Sequence, residues 1–297
     1  MIKPIKYEEI VYELSKTIQW MESLGVRVSK HCRIQQILIL VKQLAFAHKK
    51  GTLEGIDEKK KDLYIAALLD ADDYFVINRA LHGRNEPELI EKLSKAINGS
   101  FPGKEEATDT SARDVLFELI FAAILKDSGL ELIGFDDSKV RFQGKNVLFE
   151  CKRLSSEKEK RVEENIETAL AQLTRKMGKE EFGVVVLSIE KNMKMFGRNF
   201  KQLDENALHS LQVRVGNEFF NKYMSFIRKA TLNINILGFI AINRSGHVID
   251  VYPNLVKAKF FTFYATVDPR SFQRSEYNFF MEFKDHLEKK LNAQMVK

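Results

Sequence analysis

The nine residues NVLFECKRL (146–154) begin as a core β-strand and end in charge. The apolar run 147–149 favours a strand buried in a core, yet Glu150 and Lys152 follow it with no turn residue between. Because side chains alternate between the two faces of a strand, Glu150 and Lys152 point the same way, roughly 6.6 Å apart along the backbone. This arrangement indicates a functional site. The alternative is an edge strand whose exposed end carries a surface Glu–Lys pair.

The preceding residues DDSKVRFQGKN (136–146) predict the partner strand of a β-hairpin. A turn centred on Gly144 and Lys145 gives the pairs Phe142–Val147, Lys139–Glu150 and Asp137–Lys152. Asp137 then shares the face of Glu150 and Lys152, and a one-residue slip would bring Asp136 there instead. The opposite face is predicted to meet a core through Val140, Phe142, Val147, Phe149 and Cys151.

Two carboxylates that converge beside a lysine form a site for a hard cation. Mg²⁺ prefers oxygen ligands and is often held by one or two carboxylates, with water and substrate phosphate completing its shell. A lysine near a cation loses its proton more readily, which suits a general base. We therefore predict Mg²⁺, with Mn²⁺ as a substitute, at Asp137 and Glu150.

Asp137, followed thirteen residues later by Glu150-Cys151-Lys152 at the end of an apolar strand, resembles the motif of the PD-(D/E)xK nuclease superfamily. The order helix, hairpin, helix and buried strand over 111–190 also matches. Asp136 stands where the family name has Pro, which leaves the choice between the two aspartates open. The resemblance implies an α/β fold with a restriction-endonuclease-like core, a mixed sheet flanked by helices.

The resemblance also implies an activity, the Mg²⁺-dependent hydrolysis of phosphodiester bonds. Asp137 and Glu150 would hold the metal together with the Cys151 carbonyl. Lys152 would orient or deprotonate the attacking water and offset charge developing on the phosphate. DNA, the family's usual substrate, is expected rather than RNA, in a restriction, repair or phage-defence setting.

Two residues on the flanking helices are further candidates by the same resemblance. Glu118, on the helix before the motif, would bind a second ion or position water. Gln172, on the helix after it, would steady Lys152 or the water. The ordinary alternative for Glu118 is an exposed helix glutamate.

The rest of the chain predicts a helical N-terminal domain (1–98), a linker (99–111) and the α/β domain (112–297). Long apolar runs at 34–50 and 61–83 predict N-terminal helices, and NGSFPGKEEATDTS (98–111) has linker composition. Further helices are predicted at 112–129, 163–178, 204–229 and 271–292. Strands are predicted at 130–152, 182–190 and 260–267, with a hairpin over 233–253 that turns at 244–246. The apolar run 182–190 is typical of a strand buried on both faces.

Composition is that of a globular protein. Of the 297 residues 44% are hydrophobic and 30% charged, and the net charge of +6 permits an anionic partner without proving one. The two cysteines have no zinc-ligand spacing. No signal peptide or membrane span is recognisable, so a cytoplasmic location is expected.

Two other classes of function remain open. The first is a protein that keeps the nuclease fold and binds nucleic acid or a nucleotide without cutting. The second is a protein-interaction module whose functional part is the N-terminal helices, which would bind a partner protein or form a homodimer. Only the nuclease needs a divalent cation at Asp137 and Glu150, so metal binding separates the three.

Overall fold

The computed structural model describes most of the chain, namely residues 6–52, 58–99, 111–135, 138–193, 205–232, 234–249, 254–267 and 274–295. The described residues form eight helices and six strands. The helices are α1 (Tyr7–Ser23), α2 (Arg33–Lys49), α3 (Glu58–Leu81), α4 (Pro87–Ile97), α5 (Ser111–Asp127), α6 (Glu159–Lys176), α7 (Glu205–Ala230) and α8 (Arg274–Met295). The strands are β1 (Glu131–Gly134), β2 (Lys139–Phe142), β3 (Lys145–Arg153), β4 (Phe182–Ser188), β5 (Ile236–Ile249) and β6 (Asn254–Ala265).

The six strands form one mixed sheet in the order β1-β2-β3-β4-β5-β6. Strands β1, β2 and β3 are antiparallel, β3, β4 and β5 are parallel, and β6 is antiparallel to β5. Parallel neighbours need a crossover connection, and α6 and α7 lie in the two crossovers. The predicted α/β class is confirmed. The prediction of a strand buried on both faces is also confirmed, because the side chains of 184–187 in β4 are fully buried.

One predicted turn is wrong. Arg244, Ser245 and Gly246 lie inside β5, which pairs with β6 without interruption up to Ile249. Ion pairs from Arg244 to Glu190 and Asp73 hold this part of β5 in place. The continuous ladder therefore outweighs the weak turn preference of Ser and Gly, and the connection falls at 250–253, outside the described residues.

Two hydrophobic clusters cover the two faces of the sheet. The first joins Val147 and Phe149 of β3 to residues of α1 to α5 and of α8. The second joins Leu148 of β3 to residues of α6 and α7. The N-terminal helices thus share a cluster with the sheet. The predicted domain boundary at 99–111 stays a prediction, since residues 100–110 lie outside the described part of the chain.

Buried charges join the N-terminal helices to α5. Asp70 of α3 is 1% exposed and lies 2.5 Å from Arg33 of α2 and 3.5 Å from Arg113 of α5. Burial by itself raises the pKa of the Asp70 carboxyl, but the guanidinium groups of Arg33, Arg113 and Arg244 outweigh burial and lower it. Asp70 is therefore a buried carboxylate stabilised by the cations around it.

The same charges continue to the carboxyl edge of the parallel strands. Arg244 of β5 donates to both carboxylate oxygens of Glu190, at 2.5 and 3.0 Å, and forms an ion pair with Asp73 of α3. Glu190 follows β4 and is 4% exposed, and Asp73 is 1% exposed. We call the whole set the buried charge network; its members are Arg33, Asp70, Asp73, Arg113, Glu190 and Arg244.

Candidate active site

Glu150 and Lys152 lie on the face of β3 that α6 covers. In the parallel ladder with β4, Glu150 pairs with Val185 and Lys152 with Leu187. The side chains of Glu150 and Lys152 are 9% and 23% exposed, and Lys152 Nζ lies 3.0 Å from Glu150 Oε1. The predicted meeting of the two side chains is confirmed. β3 is an interior strand of the sheet, although at Glu150 and Lys152 only its β4 side is paired among the described residues.

A second lysine contacts the same carboxylate. Lys176, in the last turn of α6, places Nζ 3.3 Å from Glu150 Oε2. The side chain of Lys176 is 30% exposed. Sequence reasoning missed Lys176. The one available signal was its position four residues after Gln172, which puts both on the same side of α6.

Gln172 lies one helical turn before Lys176 and is half-buried. Its Oε1 is buried and has no hydrogen-bond partner among the residues that the structure describes. A buried amide oxygen without a partner is costly. Gln172 therefore retains an acceptor that a water or a site residue can use.

Glu118 lies on the other side of the sheet. It belongs to α5, whose Phe121 packs on Phe149 at 5.2 Å between ring centroids, so α5 covers the face opposite to Glu150. Glu118 Oε2 accepts a hydrogen bond from Lys92 of α4 at 2.6 Å, and the Glu118 side chain is 31% exposed. The structure thus pairs Glu118 with a lysine and places Glu118 and Glu150 on opposite faces of β3.

Cys151 points into the first hydrophobic cluster with Phe149. Burial is the main cause that raises the pKa of its thiol, and the nearby carboxylates of Glu118 and Glu150 raise the pKa further. The side chain is therefore a neutral thiol, and the group of Cys151 that can act as a metal ligand is its backbone carbonyl.

The direction of that carbonyl follows from the ladder. The N–H of Leu154 donates to Ser188 O at 2.9 Å, which fixes the edge of β3 that faces β4. Because backbone groups alternate along a strand, the Cys151 carbonyl faces the β2 side. The described pairing between β2 and β3 ends at Val147. The carbonyl is thus on an edge of β3 that no described strand residue pairs with.

The hairpin register differs from the predicted one by two residues. Phe142 pairs with Lys145 and Val140 with Val147, around a two-residue turn of Gln143 and Gly144. Both turn residues have positive φ, 48° and 77°, which is typical of the tight hairpin turns that match strand twist. The predicted pairs of Phe142 with Val147 and of Lys139 with Glu150 are therefore wrong.

A two-residue shift preserves the faces of the strand. Val140, Val147, Phe149 and Cys151 are buried in the first hydrophobic cluster, and Phe142 packs against it. The predicted core face is confirmed. Lys139, on the other face, forms an ion pair with Glu181 at the start of β4 instead of approaching Glu150.

Asp136 and Asp137 lie outside the described residues, between the end of β1 and the start of β2 in sequence. The choice between them as a metal ligand stays a prediction. Within the described residues, no three or more His, Cys, Asp or Glu side chains come together in a group that could hold a metal ion.

The described donors nevertheless suit Mg²⁺. The Glu150 carboxylate and the Cys151 carbonyl are oxygen ligands from adjacent residues, and Mg²⁺ needs only one or two carboxylates because it keeps several waters. The described oxygen donors therefore fit a divalent cation, and a further carboxylate ligand from Asp136 or Asp137 stays a prediction.

Of the helices described, none combines the length and the apolar composition needed to cross a membrane.

No protein-family model, no curated protein and no solved structure matches the chain.

Proposed function

We propose that the protein is a divalent-cation-dependent nuclease that hydrolyses phosphodiester bonds, with DNA as the substrate and Mg²⁺ or Mn²⁺ as the cation. The observation that carries the proposal is the contact of Lys152 Nζ with Glu150 Oε1 at 3.0 Å, on one face of an interior strand. A carboxylate and an ammonium at this spacing are the two groups that a metal-assisted hydrolysis needs, one to hold the cation and one to act on water.

The order of elements supports the same proposal. From α5 to β4 the chain runs helix, short strand, hairpin, helix and parallel strand, which includes the order helix, hairpin, helix and buried strand that carries the resemblance to PD-(D/E)xK nucleases. The motif Glu150-Cys151-Lys152 lies in the third of these strands. Asp136 and Asp137 precede the second strand, at hairpin distance in sequence. The net charge of +6 suits an anionic polymer as substrate.

Each residue then has a distinct role. Glu150, the Cys151 carbonyl and Asp137 would hold the cation, which when bound offsets the charge that develops on the phosphate. Lys152 would orient the attacking water or take its proton. Gln172 would use its unpartnered Oε1 to steady the water or Lys152. Glu118 receives no ligand role in this proposal, because it belongs to α5, which covers the opposite face of β3, and pairs with Lys92.

The test is a cleavage assay on plasmid, linear and single-stranded DNA and on RNA, with and without Mg²⁺ or Mn²⁺. We expect cation-dependent cutting of DNA that Glu150→Gln abolishes. Glu167→Gln, the same substitution at an exposed position of α6, is the matched control and should cut like the parent. The proposal fails if no substrate is cut with either cation, or if Glu150→Gln cuts like the parent.

One observation favours a second candidate, a binding protein that keeps the fold without cutting. Both oxygens of Glu150 contact lysine ammonium groups, as in a purely structural ion pair. This candidate predicts that the protein binds DNA equally well with and without cation and never cuts it. The same assay, run beside a filter-binding measurement, separates the two.

A further inference from the structure

Glu150 is held by two ammonium groups, one at each carboxylate oxygen. Lys152 Nζ lies 3.0 Å from Oε1 and Lys176 Nζ lies 3.3 Å from Oε2. The Glu150 side chain is only 9% exposed, so water contributes little to its solvation. The two lysines stabilise the buried carboxylate, because a buried charge without a partner is strongly unfavourable.

A divalent cation at Glu150 changes this balance. The cation needs a carboxylate oxygen, and it is repelled by any ammonium within a few ångströms. A carboxylate that binds a cation at Oε2 therefore has to release the ammonium beside that oxygen.

The two lysines differ in how easily they can leave. Lys152 is fixed on the same strand two residues from Glu150, and its side chain is 23% exposed. Lys176 reaches Glu150 from the last turn of α6, and its side chain is 30% exposed. A long lysine side chain at a helix end can move its ammonium away from one partner and toward solvent. Lys176 is thus the group that a cation displaces.

We propose that Lys176 is a positioning residue of this site, which competes with a divalent cation for Glu150 Oε2 and thereby sets the cation concentration at which the site fills. The inference rests on the proposed function, since it requires a cation at Glu150. In the absence of cation, Lys176 keeps the buried carboxylate paired; when a cation binds, the lysine is exchanged for it.

The test is a calorimetric titration of the full chain with Mg²⁺ and with Mn²⁺. Lys176→Met removes the competing ammonium, so the cation should bind about tenfold more tightly. A single nearby charge changes an ionic equilibrium constant by about tenfold or more, and the expected gain is the lower end of that range. Lys176→Gln is neutral and polar, and it should also bind the cation more tightly than the parent does. Lys176→Arg keeps the charge and should stay within about twofold of the parent.

Lys179→Met is the matched control. Lys179 is an exposed lysine three residues beyond Lys176, so its removal should leave the cation affinity unchanged while lowering the net charge equally. A thermal melt without cation checks that each variant is folded.

The expected sign distinguishes competition from a merely structural role. If Lys176 only supported the fold, its removal would loosen the site and weaken cation binding. Unchanged or weaker binding by folded Lys176→Met and Lys176→Gln overturns the inference and leaves the proposed function intact. If the parent and Glu150→Gln gave identical titration curves, the inference and the proposed function would both be overturned, because no cation would then bind at Glu150.

Discussion

Neutralising Asp70 should destabilise the protein far more than neutralising an aspartate whose side chain reaches solvent. Asp70 is 1% exposed and lies between Arg33, which is fully buried, and Arg113, which is 6% exposed. Asp70→Asn keeps the size of the side chain and removes its charge. Two buried guanidinium groups then lose a counter-ion that water cannot replace.

The magnitude follows from the burial. Breaking a buried ion pair by removing one partner costs about 3–5 kcal/mol, because the remaining charge stays buried. Domains are stable by only about 5–15 kcal/mol in total. For a chain of this size, with a urea m-value of about 3 kcal/mol/M, the loss corresponds to a fall of about 1–1.7 M in the urea midpoint.

The assay is urea unfolding followed by circular dichroism, with Asp127→Asn as the control. Asp127 pairs with Arg79, but the two side chains are 22% and 61% exposed, so the control should lose only about 0.2–1 kcal/mol. The reasoning is refuted if Asp70→Asn loses no more free energy of unfolding than Asp127→Asn.

Three further results are expected. First, the stability difference between the parent and Asp70→Asn should be full at neutral pH and shrink as pH falls below about 4. The pKa of Asp70 is lowered in the folded state, so the stability that its carboxylate contributes is present above the unfolded pKa and is lost on acidification. A difference that grows in acid would contradict this. Second, Glu150→Ala should lose both cation binding and cleavage, whereas Lys152→Ala should keep or tighten cation binding while cleavage falls by about 10²–10⁴; titration and cleavage assays on both variants decide, and loss of the cation by Lys152→Ala would refute the assignment. Third, Glu118→Gln should leave the cation affinity unchanged, because Glu118 pairs with Lys92 on the opposite face of β3; a calorimetric loss as large as that of Glu150→Gln would return Glu118 to the site.

Local patterns predicted the strands and their faces well. The apolar run of β4 is buried on both faces, and the alternation in β3 separates Val147 and Phe149 from Glu150 and Lys152 as expected. These predictions succeed because the side-chain period of a strand is two, whatever surrounds it. The predicted hairpin register was wrong because Gln143 in the turn has a left-handed backbone conformation. Nothing in the type of that residue indicates its φ of 48°.

Contacts between distant segments could not be predicted. Lys176 reaches Glu150 only because of how α6 docks on β3 and β4, which no local pattern specifies. The buried charge network could not be predicted for the same reason, since Arg33, Asp70 and Arg113 come together from three separate helices. In the sequence each of these residues resembles an ordinary surface charge.

The buried charge network also has a consequence for folding during protein synthesis. Asp73 is synthesised with the N-terminal helices, whereas Arg244, which it meets in the finished fold, is translated about 170 residues later. At about 5–20 residues per second, that interval is roughly 10–30 s. During it Asp73 lacks the Arg244 guanidinium with which it pairs in the native state. We expect a chain truncated before β5, in which Asp73 lacks this partner, to be a better substrate for chaperones and proteases than the full chain.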